Sequence, residues 1–186
     1  MNLKDYEPKE SLGFFKPQAG ANKIRIVSEI QDFGAHFSKR FNKSFICTGT
    51  SDCMFCKDPK EEKPKLRYLC WIIDRADQEV KLYEFGHSVF KQLVALAKDP
   101  DYAFEFTPDY DITINKTGNG MDTEYAIVAA RTNSELTAEE KDAIEGKDSI
   151  TDVLLKRAEN LKDVETEYSP GFQEQLDEIK IETDED

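Results

Sequence analysis

Three cysteines and a histidine crowd into one short stretch, HFSKRFNKSFICTGTSDCMFC, running from His36 to Cys56. The ligand-type residues His36, Cys47, Cys53 and Cys56 are spaced H-x10-C-x5-C-x2-C. Three thiolates and one imidazole are a donor set that a tetrahedral zinc ion takes, and a Cys-x2-Cys turn points two sulfurs at one ion. Lys39, Arg40 and Lys43 lie among these residues and offset the negative charge of three thiolates. Four protein ligands leave no open position for water, so the expected cofactor is one structural Zn2+ rather than a catalytic one.

Other readings of the same residues stand beside this one. Cys53 and Cys56 could be a redox pair, or the cysteines could be small buried hydrophobes. A redox CxxC opens a helix after a strand, whereas here Asp58-Pro59 and a charged loop follow. Cys70 is a rival fourth ligand, although it sits in the apolar run YLCWII. His87 opens a helical pattern and reads as a surface or capping residue. No other catalytic pattern accompanies the cluster. There is no H-x-E of a zinc deaminase, no serine elbow, no Walker A loop and no paired-histidine helix, and Gly118-Asn119-Gly120 is too short for a dinucleotide fingerprint. The expectation is a protein that is not an enzyme.

Charge is distributed unevenly along the 186 residues. The net charge is −13, yet residues 134–186 hold 18 of the 38 acidic groups and only 6 of the 25 basic ones. Residues 39–67 carry 8 basic and 4 acidic groups. A locally basic patch therefore sits in a nearly neutral body, and an acidic extension follows it. Polyanion binding depends on the local patch, so the acidic total does not exclude it. No run is long enough to cross a bilayer, and MNLKDYEPKE has no apolar signal core. The expectation is a cytoplasmic protein with no membrane partner, whose thiols are ligands or core residues rather than disulfides.

The elements that must position these residues follow from periodicity. NKIRIVSEI, LRYLCWIID and EVKLYEF read as strands, the last two as a hairpin across RADQ. Tyr110–Asn115 and Thr123–Arg131 form a second hairpin around Gly118-Asn119-Gly120. Val89, Phe90, Leu93, Val94 and Leu96 recur at helical spacing between the hairpins, and Asp99-Pro100 stops that helix. Thr137 with Glu140 predicts a capping box. Ile150, Val153, Leu154, Arg157, Ala158 and Leu161 predict an amphipathic helix. Phe172, Leu176 and Ile179 predict a last short one before the acidic end. The expected fold is mainly β with flanking helices. It is a five-stranded OB-like barrel over residues 1–133, with a zinc subdomain at about 34–60 and a helical acidic extension over 134–186.

Single strands expose base faces that stack on aromatic rings, while cations track the phosphates. Arg25, Arg67 and Arg75 lie on or beside strands. Lys39, Arg40, Phe41 and Lys43 lie in the ligand-bearing loop. Tyr68 and Tyr83, with their polar tips, are expected to form an exposed platform on the central hairpin. These residues point to single-stranded DNA as the partner. Two other functions are compatible with the sequence: an acidic zinc-containing interaction adaptor without DNA affinity, and a thiol oxidoreductase using Cys53 and Cys56.

The order of these segments resembles the zinc-containing single-stranded DNA-binding protein family of T-even-like bacteriophages. ANKIRIVSEI resembles that family's opening core strand, and His36, Cys47, Cys53 and Cys56 match its ligand order. RYLCWIIDRADQEVKLYEFGHSVFKQL is similar to its central hairpin and following helix, and YDITINKTGNGMDTEYAIV to its closing hairpin. The resemblance covers about residues 13–131. It implies an OB-type fold and base stacking by Tyr68 and Tyr83, with phosphate contacts near Lys65, Arg67 and the loop cations. It also implies protection of single strands in phage replication, recombination and repair, in the host cytoplasm. The acidic C-terminus would dock replication or recombination proteins through Phe172, Leu176 and Ile179. The chain departs from the family prototype in lacking a basic N-terminal arm in MNLKDYEPKE and in having a shorter tail.

Overall fold

The computed structural model describes residues 13–49, Ser51 and residues 53–167, with only the helical backbone described for 162–167. The short helix expected at Phe172, Leu176 and Ile179 lies outside the described residues. The strands are β1 (Gly20–Ile26), β2 (Gln31–Ser38), β3 (Lys43–Ile46), β4 (Lys65–Asp74), β5 (Glu79–Phe85), β6 (Tyr110–Thr117) and β7 (Glu124–Asn133). The helices are α1 (Met54–Lys57), α2 (His87–Lys98), α3 (Ala138–Glu145) and α4 (Ile150–Glu167). The chain is mainly β, with antiparallel strands and flanking helices. It divides into two compact units. One is built from the chain up to Asp32 and from Leu66 to Ile150, the other from Phe33 to Lys65 and from Thr151 onward.

The first unit is an antiparallel array in the order β5-β4-β1-β6-β7. β1 is central, pairing Arg25 with Ile73 on β4 and Asn22 with Ile114 on β6. Strand alternation sends Ile24, Ile26, Tyr68, Cys70, Ile72, Tyr83, Phe85, Ile112 and Ile114 into one core. Val89 and Leu93 of α2 join them from one helical face. β4 is buried at every position from Tyr68 to Ile73, on both of its faces. Trp71 turns to the other side of that strand, where its indole N–H donates to the Asp148 carbonyl at 2.8 Å and the Lys147 ammonium lies over the ring. Five strands with one helix before the last hairpin match the expected OB-like arrangement.

The edge of β7 is closed by a side chain. Gln92 of α2 donates to the Tyr125 carbonyl at 2.8 Å and accepts from the Ile127 N–H at 2.9 Å. The expected capping box at Thr137 and Glu140 is present at the start of α3. The β6–β7 connection turns at Gly118, where φ is +71° and a Cβ would stand 2.0 Å from the Asp122 carbonyl oxygen. Gly118→Ala therefore carries both left-handed strain and a backbone clash. It should cost well over about 1 kcal/mol in thermal unfolding, against a near-neutral change at an ordinary turn position.

The second unit is smaller. β2 and β3 form a hairpin that pairs His36 with Phe45, joined through Asn42 at φ +49°. These two strands lie in the stretch expected to be a loop. Phe45, Cys53, Phe55 and Leu161 form its core, with Phe41, Cys47, Met54 and Cys56 packed against them. Phe45 and Phe55 stack with ring centroids 4.8 Å apart. Leu161 comes from α4, so the amphipathic helix read from Ile150 to Leu161 supplies part of this small core.

Candidate metal centre and nucleic-acid interface

The hairpin and one helical turn bring four ligand-type side chains to a point. His36 lies on β2, Cys47 follows β3, Cys53 precedes α1 and Cys56 lies within it. Strand alternation turns His36 inward and Phe37 outward. Gly34 lets the chain close: the Cys47 N–H donates to its carbonyl at 2.8 Å, and a Cβ on Gly34 would meet the Cys47 Cβ at 3.0 Å. The four ligand atoms all lie within 4.8 Å of one another. Cys47 Sγ is 3.6 Å from Cys56 Sγ, and His36 Nε2 is 3.5 Å from Cys53 Sγ and 3.3 Å from Cys56 Sγ. A tetrahedron with metal–sulfur bonds of about 2.3 Å has sulfur–sulfur edges of about 3.8 Å. The preformed cluster is thus close to the size of a four-coordinate site.

The histidine is oriented from behind. Its Nδ1 lies 2.8 Å from the Glu62 carbonyl oxygen. With the proton on Nδ1, that nitrogen donates to the carbonyl and Nε2 keeps its lone pair for a metal, an arrangement usual for ligating histidines. Ser38, also buried, donates to the Glu61 carboxylate at 2.7 Å, so Glu61 and Glu62 tie the return segment to β2 at two points.

Electrostatics favour a cation among these thiols. Burial pushes the Cys53 thiol up, but backbone N–H groups of Cys56, Thr48 and Phe55 outweigh it and bring the pKa below the ordinary value. Burial and shared hydrogen bonds with Cys47 and Cys53 push Cys56 up to about 12. A first thiolate in the cluster makes the next harder to form, and a bound cation removes that penalty. Cys70 is elsewhere, fully buried in the core of the first unit, where burial pushes its thiol far up. The rival fourth ligand is therefore excluded from the cluster. His87 is exposed at the start of α2 and lies 3.0 Å from the Tyr68 hydroxyl through Nδ1.

The candidate nucleic-acid contacts divide by unit. In the second unit Lys39, Arg40, Lys43 and Lys65 are exposed and Phe41 is half-buried. The Lys39 side chain is 81% exposed, and Lys39 and Lys65 flank the Glu62 carboxylate at 3.5 and 3.4 Å. Those two ammonium groups hold Glu62 below the usual carboxylate range. The Arg40 guanidinium lies 5.5 Å over the Phe41 ring and the Lys43 ammonium 5.7 Å over Phe45. Phe37 is exposed and lines a cleft of about 340 Å3 with Lys39, Arg40 and Lys60 and with the carboxylates of Asp58, Glu61 and Glu62.

In the first unit the expectations are corrected in part. Arg67 is half-exposed and pairs with Glu84 at 3.2 Å. Tyr68 and Tyr83, expected on an exposed platform, are only 4% and 3% exposed. Tyr68 stacks on Phe90 with centroids 3.9 Å apart, and Tyr83 packs between Phe15 and Phe85. Arg25 is buried and donates to Asp111 at 2.9 Å and to the Ser134 carbonyl. Arg75 donates to Asp111 at 3.0 Å and pairs with Glu140. Lys23 lies 3.2 Å from the same carboxylate. Asp111 is thus the hub of a buried ion network that sequence reasoning missed. The signal available was a lone acid at the head of the DITIN strand.

A mainly β, OB-like unit and a small hairpin unit with a four-ligand cluster are the frame for the comparisons. The chain is similar to the "Probable ssDNA-binding protein" of Escherichia phage T5, 33% identical over 94 residues. That alignment takes in 50% of this chain and 36% of the relative, so the chain matches little more than a third of the relative's length. No family model matches the chain. No solved structure matches it significantly. Among the described residues, no helix is long and apolar enough to cross a membrane.

Proposed function

We propose that this chain is a non-enzymatic single-stranded DNA-binding protein whose second unit is folded around one structural Zn2+. The observation that carries the reading is the pairing of a four-ligand cluster with several exposed cations in the same small unit. His36, Cys47, Cys53 and Cys56 hold the ion. The ion replaces a hydrophobic core that the hairpin is too small to have. Lys39, Arg40, Lys43 and Lys65 take phosphates, and Phe37 and Phe41 offer ring faces to bases. Arg67 adds a cation on the first unit. Tyr68 and Tyr83 act from within, shaping the unit as core. The likeness to the phage T5 protein supports the choice of single-stranded DNA over a protein-only adaptor. Replication, recombination and repair of phage DNA in the host cytoplasm are the setting we propose. Residues 134–186 are the acidic extension that recruits partners, with Phe172, Leu176 and Ile179 as the apolar contacts.

The test is a titration of the full chain against single- and double-stranded DNA at two or more salt concentrations. Single strands should bind more tightly, with log affinity falling by about 0.7 per phosphate neutralised as log salt rises. Lys39→Ala with Lys43→Ala should flatten that slope by about 1.4 and weaken binding to every sequence alike. Equal affinity for duplex, or no affinity at low salt, would sink the reading. Disulfide reductase activity without bound zinc would point instead to a thiol oxidoreductase.

A further inference from the structure

A second cleft lies in the first unit. It encloses about 610 Å3 and is lined by Phe14, Lys16, Lys23, Asp74, Arg75 and Lys81, among others. That volume falls within the roughly 300–1,000 Å3 of ligand sites. The chain entering β1 builds its wall. The Phe15 N–H donates to the Leu82 carbonyl, and the Leu82 N–H donates to the Gly13 carbonyl, each at 2.8 Å. Phe14 thus bridges to β5 as an added strand residue. Alternation then puts Phe15 in the core against Tyr83, 5.2 Å between centroids, and leaves Phe14 45% exposed. Below it, Gln18 and Asn22 exchange two hydrogen bonds of 2.8 Å, which fix the turn into β1.

The cations of the cleft are not equivalent. Arg75 is committed to Asp111 and Glu140, and Lys81 to Asp74 and Asp77. Lys23 leans on Asp111 but its side chain is 57% exposed. Lys16 is exposed and, among the described residues, makes no ion pair. The cleft therefore presents a half-exposed ring on a hydrogen-bonded backbone, with the exposed Lys16 and the Asp111-paired but partly exposed Lys23 beside it. A carboxylate-rich peptide would use the ammonium groups and leave the ring unused. A nucleotide uses both, stacking its base on the ring and placing its phosphates on the cations.

We propose that this cleft is a separate subsite for single-stranded DNA, with a base on Phe14 and the flanking phosphates at Lys16 and Lys23. The subsite rests on the single-strand reading above and extends the DNA contacts to a part of the chain outside the metal-bearing hairpin.

The experiment uses the full chain, oligothymidylate of about 16 nucleotides and the variants Phe14→Ala and Lys16→Glu. Phe14→Ala should weaken binding roughly 5- to 100-fold. Lys16→Glu touches no core residue; it should flatten the salt slope by about 0.7 or more and leave thermal melting unchanged. Bromodeoxyuridine in the oligonucleotide should photocrosslink to the peptide containing Phe14. Tight wild-type binding with both variants unaffected and no crosslink there would overturn the subsite and leave the single-strand reading standing. Loss of binding by a synthetic peptide of residues 163–186, with DNA binding intact in Lys16→Glu, would overturn it in favour of an acidic peptide. No wild-type binding to any oligonucleotide would remove both readings together.

Discussion

Cys53→Ser is expected to empty the metal centre and unfold the hairpin unit. Elemental analysis should fall from one zinc per chain to near none. The affinity at stake is large, since structural zinc binding is worth about 10–16 kcal/mol in small metal-folded domains at neutral pH. The unit has little to replace it. Among the described residues, the apolar cluster beside the ligands has four buried side chains, one of which is Cys53 itself. Limited proteolysis should open the turn from Lys39 to Asn42, and chelation of the wild type should do the same. Cys70→Ser is the control. It removes a buried thiol in the other unit and should keep the metal, at the cost of some core packing. If Cys70→Ser loses the metal while Cys53→Ser keeps it, the ligand set is wrong. Acid should act like chelation. A metal needs thiolates and a neutral imidazole, so affinity falls as pH falls and protons compete. Cys56, pushed up to about 12 without a cation, still holds its proton at neutral pH and must release it when the ion binds. Titrating zinc into the stripped chain in two buffers of different ionisation enthalpy should show that release.

The second large effect is expected at Asp111. Its carboxylate meets Arg25, Arg75 and Lys23 within 3.2 Å. Burial pushes the Asp111 carboxyl up, but hydrogen bonds from Arg75 and Lys23, with the charge of Arg25, hold it below the usual range. Asp111→Ala would leave Arg25 buried with no carboxylate beside it. Breaking such a network by removing one partner costs about 3–5 kcal/mol, which for a chain of this size lowers the melting temperature on the order of 10 °C. The pH dependence has a definite sign. A depressed folded pKa stabilises the native state fully above the unfolded value of about 3.9, and that contribution is lost as pH falls through the folded value. The gap between wild type and Asp111→Ala should therefore be widest near neutrality and close in acid. A constant gap from pH 7 to pH 3 would mean that packing, not charge, sets the loss. Asp111→Leu combined with Arg25→Met and Arg75→Met separates the two further. Glu140→Gln must accompany them, since Arg75→Met would otherwise strand the Glu140 carboxylate, and apolar or neutral replacement of a whole buried ion network is often neutral.

What the sequence made legible depended on how local the cause was. Alternation in NKIRIVSEI and EVKLYEF is a property of neighbours; the second segment is a strand throughout, and the first is one as far as Ile26. The clustering of His36, Cys47, Cys53 and Cys56 was legible because their short spacing restricts how far apart the four side chains can end. The facing of Tyr68 was not legible, because YLCWII is apolar at every position and a period of two says nothing about which side is wet. A tyrosine tip looks like a mark of exposure, yet the Tyr68 hydroxyl is met internally by His87. Arg25 looked like a phosphate ligand because its partner is 86 residues away and invisible to any local pattern. Glu62 orients His36 of the candidate metal centre through a backbone carbonyl, which every residue possesses, so nothing in its side chain announced the role.

The amide of Gln92 bears on how copies of this protein behave when crowded together. A bare sheet edge is a template onto which another chain can splice. Gln92 presents one donor and one acceptor at the spacing of a peptide unit, so Tyr125 and Ile127 meet a counterfeit of a neighbouring strand. Saturated this way, that length of β7 is mute toward other sheets. Chains brought together can then touch along this stretch without pairing strands.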